Sequence, residues 1–191
     1  IEVLNDERKK YVDTIVEEAS AQIDTNDLFI MLANEAWHEG VLGIAAAKLV
    51  KMYHRPVLLL TEGMDRNTWK GSARSIPSYN IFSNGIQIRE LFTSFGGHAQ
   101  AAGVTFPKEN FAQIKEHFLQ TCQEQLTEAD LTPQLTISKK LHINQLTEQL
   151  VTAVKQFAPF GYGNEEPLFL LEAIPTQIRQ IGQQQAHLKL Q

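Results

Sequence analysis

LFIMLANEAWHEGVLGIAAAKLVKMYHRPVLLLT, residues 28–61, is the stretch that decides the fold. Its two ends, Leu28 to Ala33 and Pro56 to Thr61, are continuous apolar runs of strand length, the pattern of buried strands. Between them lies a polar loop from Asn34 to Gly40. Leu42, Ala45, Ala46, Leu49 and Tyr53 then recur at helical spacing and predict a helix over roughly 41–53. Two buried strands joined through a helix imply a parallel pair with a right-handed crossover, hence an α/β core.

Upstream, Val12, Ile15, Val16, Ala19 and Ile23 fall on one stripe of an amphipathic helix over 5–23, with Asn5 at its cap. Downstream, residues 68–76 alternate small and polar side chains and predict a strand. A helix around 80–93 is expected to end at Phe95-Gly96-Gly97, and 101–106 returns as a short strand. Phe111, Ile114, Phe118, Cys122 and Leu126 share one face of a helix over 109–126. Glu128 to Pro133 is polar, closed by a proline, and reads as a linker. Beyond it come a strand at about 135–142 and a helix at about 144–157. A turn-dense loop over 158–164 and short strands near 168–171, 176–179 and 187–190 follow. The chain begins with Ile1 rather than Met and stops inside an apparent strand, which leads us to expect a piece of a longer protein.

The composition, 43% hydrophobic and 20% charged, is that of a globular protein. No apolar run reaches the roughly 18–20 residues of a membrane span, and the amino terminus lacks the basic head and apolar middle of a secretory signal. Cys122 is the single cysteine, so an internal disulfide is excluded and a cytoplasmic setting is expected. The net charge of −5 runs against a dedicated nucleic-acid binder, which is usually basic. Any phosphate-binding cations must therefore be gathered locally, or the positive site must lie partly outside this chain.

Three stretches could gather them. Paired glycines in Phe95-Gly96-Gly97-His98-Ala99-Gln100-Ala101-Ala102-Gly103 let backbone N–H groups approach an anion or base, with His98 as a neighbouring donor. The same residues also read as a helix cap followed by a tightly packed strand. In Lys70-Gly71-Ser72-Ala73-Arg74-Ser75, alternation puts Lys70, Ser72 and Arg74 on one side of a strand. That side is either a phosphate-binding patch or a solvated face. Trp37-His38-Glu39-Gly40 lies where a strand gives way to a helix, a common ligand position in α/β folds; a capping loop with a surface His38 is the other reading. No Walker loop and no Asp/His cluster accompany these stretches. Glu35, His38 and Glu39 lack the partners of a metal site, and Cys122 falls on an apolar helix face. Neither catalytic residues nor metal ligands are assigned to the chain.

Taken in order, W-H-E-G-V-L-G-I (37–44), R-P-V-L-L-L (55–60), K-G-S-A-R-S (70–75) and G-G-H-A-Q-A-A-G (96–103) resemble the DHHA1 domain. That domain accompanies the metal-bearing DHH phosphoesterase domain. P-F-G-Y-G-N-E-E-P-L-F (159–169) resembles the segment preceding the OB domain of the RecJ exonuclease family, with Glu165-Glu166 where that family often has Asn-Pro. The resemblance implies an α/β DHHA1-like domain with a mixed sheet flanked by helices, followed by a smaller, truncated β-rich OB-like segment. It divides the chain into a connector helix (1–25), the DHHA1 domain (26–127) and a partial OB-like domain (134–191).

It further implies the substrate-binding part of a single-stranded-DNA-specific 5′→3′ exonuclease of DNA repair and recombination. Mn²⁺ or Mg²⁺ would be held by the DHH domain in cis. Single-stranded DNA would be the ligand, and a single-stranded-DNA-binding protein or a helicase the protein partner. By the same resemblance, Ser72 and Arg74 hold a terminal or near-terminal phosphate, with Lys70 nearby. Gly96, Gly97 and His98 contact the nucleotide, and His38 lines the cleft. Two other readings stay open: the accessory domain of a nano-RNA or cyclic-dinucleotide phosphodiesterase of the DHH family, and a non-catalytic nucleic-acid-binding module.

Overall fold

The computed structural model describes residues 2–161, 163–182 and 185–191, apart from the side chains of Glu2 and Val3. Ile1 of the expected connector and Tyr162 of the turn-dense loop lie outside that set. The chain divides into two compact units, Ile1–Pro133 and Gln134–Gln191.

In the first unit, α1 (Glu2–Ser20) is followed by β1 (Ile30–Ala33), α2 (Leu42–Tyr53) and β2 (Val57–Glu62). The strands β1 and β2 pair in parallel, Ile30 opposite Val57 through Ala33 opposite Leu60. The chain then runs through β3 (Thr68–Arg74), α3 (Ile81–Ile86), β4 (Ser94–His98), β5 (Ala101–Pro107) and α4 (Phe111–Gln125). The sheet order is β1-β2-β3-β5-β4, antiparallel beyond the first pair.

Alternation along β2 sends Val57 and Leu59 to one face and Leu58 and Leu60 to the other. On the first face they pack with Val12, Ile15 and Ala19 of α1 and with Leu42, Ala45, Ala46 and Leu49 of α2. On the second they join Ala73, Ala102, Val104 and Phe106 beneath Ile81, Ile114, Phe118 and Cys122. Phe29 and Phe118 stack there with ring centroids 4.7 Å apart. Helices thus cover one face along its length, while α1 and α2 pack over the β1–β2 end of the other.

Four expectations need correction. Asn5 does not cap α1, which already begins at Glu2; its side chain accepts from Arg8 Nη2 at 2.7 Å instead. The helix expected over 80–93 is only α3, capped by Asn80, plus one 3₁₀ turn at Arg89–Leu91. Phe95-Gly96-Gly97 is no helix end but the middle of the edge strand β4. Cross-strand pairing outweighs the local glycine signal, because Phe95 lies opposite Val104, stacks on Phe82 and packs at a tilt against Phe92. The helix expected over 144–157 is a 3₁₀ turn at Ile143–Gln145 followed by α5 (Glu148–Lys155), restarted by Thr147, whose hydroxyl accepts from the Leu150 N–H.

Within the second unit, β6 (Lys139–Leu141) pairs in parallel with β7 (Phe169–Leu171). β8 (Ile178–Ile181) forms an antiparallel ribbon with β9 (His187–Leu190).

Burial in the first core has a pH consequence. It pushes the Cys122 thiol up from 9 to about 12 and raises the Tyr79 phenol as well. Both groups keep their protons in the folded chain where the unfolded chain has lost them. Stability is therefore complete below pH 9 and falls as pH rises toward 12. Thermal midpoints followed by circular dichroism across that window are expected to drop, and Cys122→Ala is expected to flatten the fall. A midpoint constant between pH 9 and 12 would contradict the burial argument.

Candidate nucleotide-binding face

The register across β3, β5 and β4 assembles the site. Arg74 lies opposite Ala101, which lies opposite His98; Ser72 lies opposite Gly103, opposite Gly96; Lys70 lies opposite Thr105, opposite Ser94. Directly paired residues project to the same face, and residues two apart do likewise. Arg74 and Ser72 also oppose Val57 and Leu59, so this is the α1–α2 face. The three rows form the part of it where Ser94, Gly96, His98 and Gly103 are exposed. With strands about 4.8 Å apart, Arg74 and His98 stand roughly 10 Å apart along one row.

The floor is almost bare of side chains between its two polar edges. At one edge, Arg74 Nη1 donates to Ser72 Oγ at 2.8 Å and to the Ala73 carbonyl at 2.7 Å. Its Nη2 lies so close under the first turn of α2 that a Cβ at Gly43 would come within 2.6 Å of it. Partial burial holds the Arg74 guanidinium below its ordinary value, yet an arginine keeps its charge at neutral pH. No carboxylate lies within ion-pair distance of it among the described residues. A half-buried cation without a counter-charge, beside a hydroxyl and a helix start, suits an anion. Lys70 is different, because its ammonium is already paired with Glu39 at 2.9 Å. At the other edge, His98 Nδ1 faces the Gln100 N–H at 3.4 Å and the ring is exposed.

The loop after β1 borders the same opening. A cavity of about 240 Å³ is lined by Glu39 and Gly40 from the loop, by Leu42 at the start of α2, and by Lys70, Gly71 and Ser72 from β3. His38 sits beside Gly40 and accepts its N–H on Nδ1 at 3.1 Å. The loop is held from three directions. Thr61 Oγ1 donates to the Trp37 carbonyl at 2.7 Å. Glu18 on α1 accepts from Trp37 Nε1 at 2.7 Å and from Asn34 Nδ2 at 3.2 Å. Lys108, lying 4.5 Å over the Trp69 ring, binds Glu35 at 2.6 Å and Glu62 at 3.0 Å.

The structure therefore brings Ser72, Arg74, Gly96, His98 and Lys70 to one face, with His38 at its rim. Gly97 falls at the opposite side of the strand by alternation, and its backbone leaves no room for a side chain. Its φ is +154°, and a Cβ there would meet the Ala101 carbonyl oxygen at 2.1 Å. Gly96 differs, with open space above it. The sequence reading missed Glu18 and Tyr11, whose seven-residue spacing on α1 puts both on the flank facing the loop.

Residues 14–124 match the DHHA1 domain family. This chain belongs to it. Residues 137–191 match the RecJ OB domain, so the DHHA1 unit is followed by an OB segment. The single-stranded-DNA-specific exonuclease RecJ of Bacillus subtilis is 32% identical over 194 residues, covering all of this chain and 25% of that protein. That of Haemophilus influenzae is 33% identical over 84% of this chain and 28% of its own length. The crystal structure of RecJ from Thermus thermophilus in complex with Mg²⁺ matches with a TM-score of 0.79 and 26% identity. It covers 95% of this chain and 28% of that one. The chain thus spans about a quarter of the length of the curated relatives it matches, and it is similar to their DHHA1 and OB region.

The T. thermophilus protein is also known in complex with Mn²⁺. Among the described residues of the DHHA1 chain no three His, Cys, Asp or Glu side chains are grouped to hold such an ion. Glu39, which lines the cavity, and Glu35, on the same loop, are engaged by Lys70 and Lys108. Among the described residues, those of this face do not fit a metal centre.

Proposed function

We propose that this chain is the substrate-binding part of a cytoplasmic single-stranded-DNA-specific 5′→3′ exonuclease of DNA repair and recombination. The metal-dependent cleavage is carried by a DHH domain in cis. The observation that carries the reading is Arg74, a half-buried guanidinium with no carboxylate partner among the described residues, braced on Ser72 beneath the start of α2. Ser72 and Arg74 take the terminal 5′-phosphate, the backbone of the strand runs across Gly103 and Gly96, and His98 meets the next nucleotide from the far edge. Fixing the end of the strand in this way serves catalysis elsewhere, since small misplacements at a reacting centre are costly. The OB segment guides the rest of the strand, as such modules do by backbone charge and stacking. That segment also favours this reading over a dinucleotide phosphodiesterase, which would need no such guide. A single-stranded-DNA-binding protein or a helicase would deliver the substrate.

Binding of the 191-residue chain to 5′-phosphorylated and 5′-hydroxyl single-stranded DNA, with Mn²⁺ present, tests the proposal. The phosphorylated strand is expected to bind more tightly and to stay intact. Equal affinity for the two ends would remove the phosphate assignment, and digestion abolished by a substitution in this chain would remove the division of labour.

A further inference from the structure

At the rim of the opening, Tyr11 of α1 meets His38 with ring centroids 5.6 Å apart and planes inclined by 33°. Tyr11 is 54% exposed, and His38 is exposed as well. Neither residue is in the core: the buried stripe of α1 is Val12, Ile15 and Ala19. An exposed tyrosine on a helix surface has no packing reason to lie against an exposed histidine. Glu18, two turns along the same flank, holds Trp37, the chain neighbour of His38. The His38 ring in turn abuts Gly40, and Gly40 shares its cavity with Ser72. The His38 ring, with the exposed Tyr11 ring against it, therefore stands one residue along the chain from Glu39 in the cavity wall that leads to the cationic edge.

We infer that Tyr11 and His38 form a stacking subsite for a nucleobase of the strand whose phosphate lies at Ser72 and Arg74. The inference rests on the phosphate reading above and extends it to the base. Stacking suits this place because every base offers a π-face, so a ring platform holds a strand without choosing its sequence. Recognition by phosphate alone would hold any phosphomonoester, whereas a phosphate site beside a ring pair selects a nucleotide. Tyr11 also makes α1 part of the binding face rather than a connector alone.

The test uses the whole chain and fluorescence anisotropy with a 5′-phosphorylated thymidine oligomer. Matched oligomers each carry one abasic nucleotide, at the 5′ end or at a neighbouring position. Tyr11→Ala is expected to weaken binding by about fivefold to about a hundredfold, and Tyr11→Phe to restore it. One abasic oligomer is expected to show the same loss with the native chain and no further loss with Tyr11→Ala, the signature of a shared contact. Tyr11→Ala binding like the native chain, or a loss that phenylalanine fails to rescue, overturns the subsite. If the Tyr11 effect is present while 5′-phosphate and 5′-hydroxyl strands bind alike, the phosphate assignment falls and the stacking subsite stands. Normal phosphate discrimination without a Tyr11 effect gives the reverse, and a native chain that binds no oligomer overturns both.

Discussion

Replacing Arg74 by alanine is expected to lower affinity for 5′-phosphorylated single-stranded DNA while the chain stays folded. A charge-assisted contact is worth roughly 1.5–3 kcal/mol, about one to two decades in the dissociation constant. The fold should tolerate the change, since among the described residues Arg74 is bound to the Ser72 hydroxyl and the Ala73 carbonyl and to no carboxylate. Lys70→Ala provides the contrast. Its ammonium is half-exposed and already neutralised by Glu39, so a much smaller effect is expected. Isothermal titration of the two variants with phosphorylated and unphosphorylated strands checks this. An Arg74→Ala chain with native affinity, or one as weakened toward the hydroxyl end as toward the phosphate, would show that Arg74 braces the strand face and nothing more.

The second large effect separates the two neighbouring glycines. Gly97→Ala puts a methyl group 2.1 Å from the Ala101 carbonyl oxygen and 2.7 Å from the Ala102 Cα, at a φ of +154°. Both obstacles are backbone and cannot swing away. Overpacking and an unfavourable backbone conformation together should cost about 2–5 kcal/mol, and the β4–β5 turn that carries His98 should shift. Gly96→Ala meets nothing within 4 Å, so its stability should stay within about 0.5 kcal/mol of the native chain. Its methyl group nevertheless stands on the floor beside Gly103, where a strand backbone would pass. Denaturant unfolding and DNA titration of both variants are expected to give a destabilised Gly97→Ala and a stable, weakly binding Gly96→Ala. Native binding by Gly96→Ala would mean that the strand does not cross the floor.

Much of this was legible in the residues themselves. The β1–α2–β2 unit announces itself because strands buried on both faces have no room for polar residues, and the helix between them carries its own period. Lys70, Ser72 and Arg74 share a side by alternation alone, whatever the strand pairs with. β4 was hidden for a physical reason. Gly96 and Gly97 have no strand propensity of their own, and their conformation comes from β5, a partner no local window reveals. Lys70 looked like a free cation because its neutralising partner, Glu39, lies 31 residues away in sequence. The flank of α1 that carries Tyr11 and Glu18 was concealed similarly. Its residues look solvated on a helical period, and only the position of the loop gives them work.

The three-way hold on residues 34–38 bears on the energetics of recognition. Ordering a backbone residue costs roughly 1–2 kcal/mol of entropy, and for this segment Thr61, Glu18 and Lys108 have met that cost during folding. A strand arriving at the opening finds its rim already shaped, so little of the interaction energy is lost to organising the receptor. Association can then proceed as a single encounter, with no slow rearrangement of the protein following contact. On the reading proposed above, a receptor whose rim needs no reassembly before each binding event adds no slow step of its own.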